Sequence, residues 1–403
     1  MTVVLDVLLN NVLVGTLTQL SDGQMIFSFD DSYFKDQDRP VLSQSYYSEM
    51  GELLIHPKAY RVKAPPFFSN LLPEGPLREY LAKRGDIKPN QEFKLLRLLG
   101  EDLPGAVIIR PSKSYSGDEI EIDTSEGRSD SQIPLRFSLA GVQLKFSGLI
   151  EQKGGITIPT SGIGGNWIIK LPAADHDNVP ENEFAMMHMA KEIGIPVPEI
   201  KLVPLNEISG LPSFGNLRGS NALAVKRFDR GEDGSRTHIE DFAQVFDVPP
   251  DKKYEGVNFS NITQMIWTLC GEKGLQDFIK RLAFTILTGN GDMHLKNWSF
   301  IYKDGRTPEL SPAYDMVSTV PYIPNDTLAL KILRIDTMAL CDIKLFEHMA
   351  ERAGVPKKLV TDAVKETSQK TKEVWHQNKK NYDLPSKIEK IISGHMSSMS
   401  FGE

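Results

Sequence analysis

Apolar and polar residues alternate through "VVLDVLLNNVLVGTLTQL", a two-residue period that predicts paired strands with a turn at Asn10-Asn11. "SDGQMIFSF" extends the meander through a second turn at Asp22-Gly23. Near Phe67 the period changes. In "PPFFSNLLPEGPLREYLAKRG" a loop leads into a helix with Leu77, Tyr80 and Leu81 on one face. "QEFKLLRLLG" predicts a second helix, and a turn region then feeds a strand from Ala106 to Arg110. Residues 111–135 break both periods. Asp118 to Asp130 holds six acids and one arginine, the composition of a solvated linker.

Strand patterns resume in "RFSLAGVQLKFSGLI" and "NWIIKLP". A helix follows in "ENEFAMMHMAKEIG", ended by Gly194 and the prolines after it. "EIKLVPL" and "ALAVKRFD" predict two more strands, and from Glu240 onward the helical period dominates. The chain therefore reads as α+β in four parts. An N-terminal α/β accessory domain covers 1–110 and an acidic linker 111–135. A β-rich lobe covers 136–235 and an all-helical lobe 236–403. Two lobes of this kind place a working cleft between them.

Composition changes the picture little. The 403 residues are 40% hydrophobic and 25% charged, ordinary for a globular chain. A net charge of −7 excludes a chain-wide electrostatic nucleic-acid binder. Locally, Lys357 to Lys390 carries nine lysines against five acids, either a phosphate track or a solvated helical face. Cys270 and Cys341 match no metal-ligand spacing and predict two core thiols in a reducing compartment. The N-terminus lacks the charged start and cleavage site of a signal peptide, and no apolar run reaches the ~18 residues of a membrane helix. A cytoplasmic location without membrane contact is expected.

The densest chemistry lies in "GNGDMHLKNWSF". Asn297 follows Asp292 by five positions, the spacing of a kinase catalytic loop. Eighteen residues later, beyond a strand–turn–strand pattern, stands Asp315. A carboxylate with an amide oxygen suits Mg²⁺ carrying nucleotide phosphates. Asp292 then remains to take a proton from an attacking hydroxyl. Asp and Asn in turns also read as local hydrogen-bonding residues. "SLAGVQLK" offers a tight turn whose N–H groups suit phosphate, or an ordinary hairpin. Lys170 closes an alternating strand, where a kinase keeps its phosphate lysine, though a surface lysine reads alike. Glu183 on the next helix either orients Lys170 or favours the helix N-terminus. The backbone of Lys226, Arg227 and Phe228 forms the connector between lobes and faces an adenine in this reading; Phe228 equally reads as core. His294 touches phosphate or braces its loop.

"FSLAGVQLKFS", "IIKLP", "NEFAMMHMAKEIGI", "LAVKRFDR", "EDFAQVF", "GDMHLKN" and "LSPAYDMVS" occur in the order and rough spacing of the HipA family, which the chain resembles over nearly its whole length. The N-terminal "FFSNLLPEGPLREYL" and "LLRLLGEDLPGAVII" resemble it too. The resemblance implies a bilobal protein-kinase-like core and a bacterial serine/threonine protein kinase acting as a toxin with ATP and Mg²⁺. It implies a helix-turn-helix, HipB-like antitoxin, operator DNA reached mainly through that antitoxin, and a protein substrate such as an aminoacyl-tRNA synthetase, whose modification blocks translation. It assigns Asp292 as catalytic and Asn297 and Asp315 to the metal. Ala140, Gly141, Val142, Gln143, Leu144 and Lys145 would form the phosphate loop, with Lys170 on the phosphates. Lys226 and Phe228 would border the adenine, and His294, Lys296 and Tyr314 would line the nucleotide site. Ser138 takes the place of the autophosphorylated serine. Two departures stand out: Met293 replaces a glycine of the family's Thr-Asp-Gly-His-x-Lys-Asn, and Lys226 stands where an acid can occur. A small-molecule phosphotransferase and a catalytically idle corepressor of an antitoxin remain alternatives. Transfer of label from ATP to protein or to metabolites separates the first; antitoxin binding without turnover marks the second.

Overall fold

The computed structural model describes residues 2–54, 58–113, 145–150, 156–158, 165–211, 217–399 and 401. Most of the acidic linker, Ser138, and Ala140 to Leu144 lie outside them.

The N-terminal domain is built on β1 (Val3–Leu9), β2 (Val12–Gln19) and β3 (Gln24–Phe29), followed by a short α1 (Asp31–Lys35) and β4 (Ala59–Arg61). Three helices follow, α2 (Pro66–Asn70), α3 (Gly75–Arg84) and α4 (Glu92–Leu99), then β5 (Val107–Pro111). The antiparallel sheet has the order β4-β3-β2-β1-β5. Leu9 pairs with Val12 across a two-residue turn in which Asn10 and Asn11 both have positive φ, as a hairpin matched to strand twist requires. Leu77 and Leu81 are buried, while Tyr80 reaches Phe146 of the next domain at 6.4 Å between rings.

The β-rich lobe contains β6 (Lys145–Ile150), β7 (Ile156–Thr157) and β8 (Trp167–Lys170), then helix α5 (Val179–Glu192). Next come β9 (Ile200–Pro204), β10 (Ile208–Ser209) and β11 (Asn221–Lys226), in a sheet ordered β10-β7-β6-β8-β11-β9. Pro180 opens α5, where its missing N–H is harmless, and Gly194 follows its end at φ +87°.

Beyond this lobe run β12 (His238–Asp241), α6 (Phe242–Val245), α7 (Phe259–Leu287), β13 (Ser299–Tyr302) and β14 (Glu309–Leu310). The chain closes with α8 (Ile343–Ala353), α9 (Lys357–Asn378) and α10 (Ser386–Ser398). The lobe expected to be all helical thus also holds a three-stranded sheet, β12-β13-β14. Its β13–β14 pair is the strand–turn–strand read between Asn297 and Asp315, and the four-residue β12 adds the third strand. Long α7 breaks at Gly271, whose φ of 62° and ψ of −155° are not helical. Cys341 is buried; Cys270 is only half-buried and its thiol donates to the Pro308 carbonyl at 3.3 Å, which corrects the expectation of two core thiols. No described helix is long and apolar enough to cross a membrane.

The N-terminal domain touches both lobes. A Cβ at Gly105, φ +72°, would fall 2.8 Å from the Ile239 amide nitrogen, so glycine permits this approach. The Gly105 N–H donates to Asp229 Oδ2 at 2.8 Å. Arg230 reaches back to Asp102 at 2.9 Å and to the carbonyls of Leu103 and Gly105. Arg227 completes this buried clasp, pairing with Asp229 at 2.8 Å and Asp102 at 3.4 Å. Burial alone would raise the pKa of Asp229; the Arg227 and Arg230 guanidiniums prevail and bring it from 3.8 to about 2. A carboxylate depressed on folding contributes stability above its ordinary pKa, lost as pH falls through about 2. Asp229→Asn is expected to destabilise the chain by about 3–5 kcal/mol, because it leaves two buried guanidiniums sharing the single carboxylate of Asp102. Urea unfolding at pH 7 checks this, and an unchanged midpoint would remove the clasp as a stabilising feature.

Candidate active site

The loop from Gly289 to Asn297 joins α7 to β13 and is knit by its own backbone. The His294 N–H donates to the Asp292 carbonyl at 2.8 Å, and the Asn297 N–H donates to the His294 carbonyl at 3.0 Å. The Asn297 side-chain amide donates to the Asp292 carbonyl at 2.8 Å. Asn290 Oδ1 accepts from the Asp292 N–H at 3.0 Å. Met293 is buried in the core of the helical lobe and anchors the loop from beneath. With the backbone so held, the Asp292 side chain is exposed to solvent. Crowding by protein nonetheless pushes its pKa upward, against a hydrogen bond from the Tyr254 hydroxyl to Oδ1 at 2.8 Å.

Opposite this loop lies a group of charges. Lys170, at the end of β8, is ion-paired with Glu183 of α5 and with Asp315 Oδ1. Lys145, at the start of β6, stands 3.9 Å from Asp315 Oδ2. Burial opposes charge on Lys170, yet the two carboxylates raise its pKa above the ordinary value. Burial likewise disfavours ionised Asp315, but the Lys145 and Lys170 ammoniums hold its carboxyl well below the usual range. Asp315 adopts φ +54°, a conformation Asp tolerates better than most residues. The β13–β14 hairpin folds this segment back onto the loop, and Tyr314 donates to the Lys296 carbonyl at 3.1 Å.

Between these groups is a cleft whose empty space, open solvent included, is about 920 Å³. Ile168, Val225, Leu71, Pro104 and Ile239 supply its apolar wall. Phe228 and Tyr314 face each other with ring centroids 5.8 Å apart. Lys145, Lys170, Lys226, Arg227, Asn297 and Asp315 all border it. Two connector side chains are engaged elsewhere: Lys226 pairs with Glu232 at 2.5 Å and Arg227 is held in the clasp. Their backbone N–H groups also donate within the protein, Lys226 to the Glu199 carbonyl and Arg227 to the Asn166 carbonyl, each at 2.8 Å. His294 is buried, with its ring edge-on to Tyr254 at 5.0 Å. Burial and the nearby Lys253 ammonium bring its pKa down to about 3, so the imidazole is neutral, and its Nδ1 has no hydrogen-bond partner among the described residues.

Lys296 also borders the cleft, and its ammonium donates to the Asn70 carbonyl at 3.0 Å and to Asn70 Oδ1 at 3.2 Å, and pairs with Glu74 at 2.9 Å. Asn70, Glu74, Lys253 and Tyr254 are the residues that sequence reasoning missed. Each meets the loop through a fold-dependent contact, and none shares a spacing motif with it. The quoted "FFSNLLPEGPLREYL" contains two of them but says nothing of what they face.

Comparison with known proteins supplies the relationship. The profile of the HipA N-terminal domain matches residues 5–110, and that of the HipA-like C-terminal domain matches residues 137–375. Y4dM of Sinorhizobium fredii, provisionally named a kinase, is 49% identical over 397 residues, covering 97% of this chain and 96% of that protein. The serine/threonine-protein kinase toxin HipA of Shewanella oneidensis is 30% identical over 291 residues, covering 64% and 63% of the two chains. A solved complex of Shewanella oneidensis MR-1 HipA with HipB and operator DNA contains a chain that shares this fold at a TM-score of 0.73 and 22% identity, over 98% of this chain and 95% of that one. With both domain profiles in one polypeptide and a relative matched along nearly its full length, the chain belongs to the HipA family.

Proposed function

We propose that this chain is an ATP-dependent serine/threonine protein kinase. The observation that carries the reading is the buried Lys170–Glu183 pair joined to Asp315 in the same cleft as Asn297. Lys170 and Lys145 would neutralise nucleotide phosphates, and the apolar wall with Phe228 and Tyr314 would enclose the adenine. The acceptor oxygen bonds to the γ-phosphorus as the bond to the β-phosphate oxygen breaks and ADP leaves. Asp292 takes the hydroxyl proton.

The residues present fit Mg²⁺. Asp315 stays ionised, and Asn297 Oδ1 accepts no hydrogen bond among the described residues. No described cluster of three or more His, Cys, Asp or Glu residues is placed to hold a metal alone, so phosphate oxygens would complete the shell, as Mg²⁺ usually requires. Asn297 and Asp315 would hold the ion, which supplies charge neutralisation on the phosphates. Family membership supports a protein substrate, with an aminoacyl-tRNA synthetase as the precedent, and a toxin role beside a HipB-like antitoxin that contacts operator DNA.

The deciding experiment incubates purified chain and labelled Mg²⁺-ATP with host lysate and maps the phosphosites. Label in serine or threonine of a discrete protein is expected. Label only in metabolites would replace this reading with a small-molecule phosphotransferase, and antitoxin binding without turnover would leave a corepressor. Ser138 and the loop Ala140–Lys145 are assigned by resemblance as the self-modified serine and the phosphate loop. Phosphate on Ser138 brings about −1.5 to −2 charges to that loop. Mass spectrometry is expected to find it in the wild type and not in Asp292→Asn. Full activity in a stoichiometrically phosphorylated sample would exclude a self-inactivating switch.

A further inference from the structure

Lys253 and Lys296 are two buried ammonium groups, their side chains only 6% and 2% exposed. Both end on one carboxylate. Glu74 Oε2 lies 2.9 Å from Lys253 and Glu74 Oε1 lies 2.9 Å from Lys296. Glu74 comes from the N-terminal domain, between α2 and α3, and neighbouring Asn70 adds two further acceptors for Lys296. The other carboxylate near Lys296, Asp241, is farther away at 3.8 Å. Burial would raise the Glu74 pKa; the two ammoniums override it and bring it to about 2.

The neighbours of the two lysines give this contact its meaning. Lys296 directly precedes Asn297, whose side chain holds the Asp292 backbone. Lys253 directly precedes Tyr254, whose hydroxyl holds the Asp292 carboxylate. One charged group of the accessory domain thus fastens both supports of Asp292. We infer that Glu74 is a positioning residue for phosphoryl transfer, supplied to the catalytic loop by the N-terminal domain without touching nucleotide or acceptor. The inference rests on the kinase reading above.

A neutral residue at 74 leaves two buried ammoniums without their shared anion. Repulsion and the loss of solvation then drive at least one of them outward, with Asn297 or Tyr254 following. Displacing a reacting group by about 1 Å costs about 10²-fold in rate. Nucleotide contacts at Lys170 and the apolar wall are separate and stay in place.

The test uses the full chain, labelled Mg²⁺-ATP and host-lysate protein at fixed concentration. Glu74→Gln is expected to lower apparent kcat about 10–100-fold, with the ATP KM raised by no more than the milder loss expected for Asn297→Ala. Lys253→Gln in the same chain, which relieves the repulsion, should recover about tenfold of that loss. Hydrogen exchange gives a readout independent of turnover. The His294 and Asn297 amides should exchange faster in Glu74→Gln, while the β1–β5 sheet is unchanged. Wild-type kcat in Glu74→Gln overturns the inference. So does a variant whose kcat, KM and sheet-wide exchange all worsen together, since that is a packing defect. If the wild type transfers no phosphate, the kinase reading fails, and unchanged loop exchange would then overturn the role of Glu74 as well.

Discussion

Asp292→Asn is expected to lower phosphoryl transfer about 10²–10⁴-fold, the usual contribution of a positioned general base. This corresponds to about 2.7–5.4 kcal/mol of barrier. The substitution is close to isosteric, and the bonds that shape the loop use the Asp292 backbone. The His294 N–H and the Asn297 side chain both donate to its carbonyl, and its own N–H donates to Asn290. None of these involves the carboxylate. The Tyr254 hydroxyl can still donate to an amide oxygen at position 292. The lost property is proton acceptance, so nucleotide affinity should change little. Single-turnover transfer from labelled Mg²⁺-ATP, beside calorimetric titration with a nonhydrolysable analogue, separates the two quantities. Transfer at near wild-type rate would mean that Asp292 is not the base.

Asp315→Ala is expected to weaken Mg²⁺-nucleotide binding about 10–100-fold and to reduce turnover with it. A charge-assisted contact is worth about 1.5–3 kcal/mol, and each 1.4 kcal/mol is about tenfold in affinity. The environment adds a sharper signature. Asp315 is the carboxylate between Lys170 and Lys145. Removing it frees positive charge toward the cleft, while Glu183 still pairs with Lys170. Metal-free nucleotide should therefore bind the variant at least as well as wild type, and the gain in affinity on adding Mg²⁺ should largely disappear. Asn297→Ala should show the same loss more mildly, because a neutral oxygen holds a hard cation less strongly. Titrations with and without Mg²⁺ decide the matter. An unchanged Mg²⁺ dependence in both variants would take these residues out of the metal site.

Much of the architecture was legible because it depends on near neighbours. Asn10-Asn11 between alternating runs specifies a two-residue hairpin, and its φ values of 49° and 65° are those such a turn needs. Gly194 ends α5 for a local steric reason. The spacing of Asp292 and Asn297 is likewise local: five residues close one loop through a side-chain bond to a carbonyl. Lys170 at a strand end and Glu183 on the following helix are close enough in sequence for their pairing to be considered from pattern alone.

The remaining contacts join residues far apart in the chain, and no period or spacing encodes them. Arg227 and Lys296 look like ligand-facing cations in a motif. Burial commits them to Asp102 and Asp229, and to Asn70 and Glu74. Tyr254 stands in an unremarkable loop until folding carries its hydroxyl to Asp292. Local sterics and hydrophobic period determine the elements and the candidate chemical groups. Only the packed chain decides which charge faces which, because a buried ion requires a partner and only the three-dimensional fold determines which one is within reach.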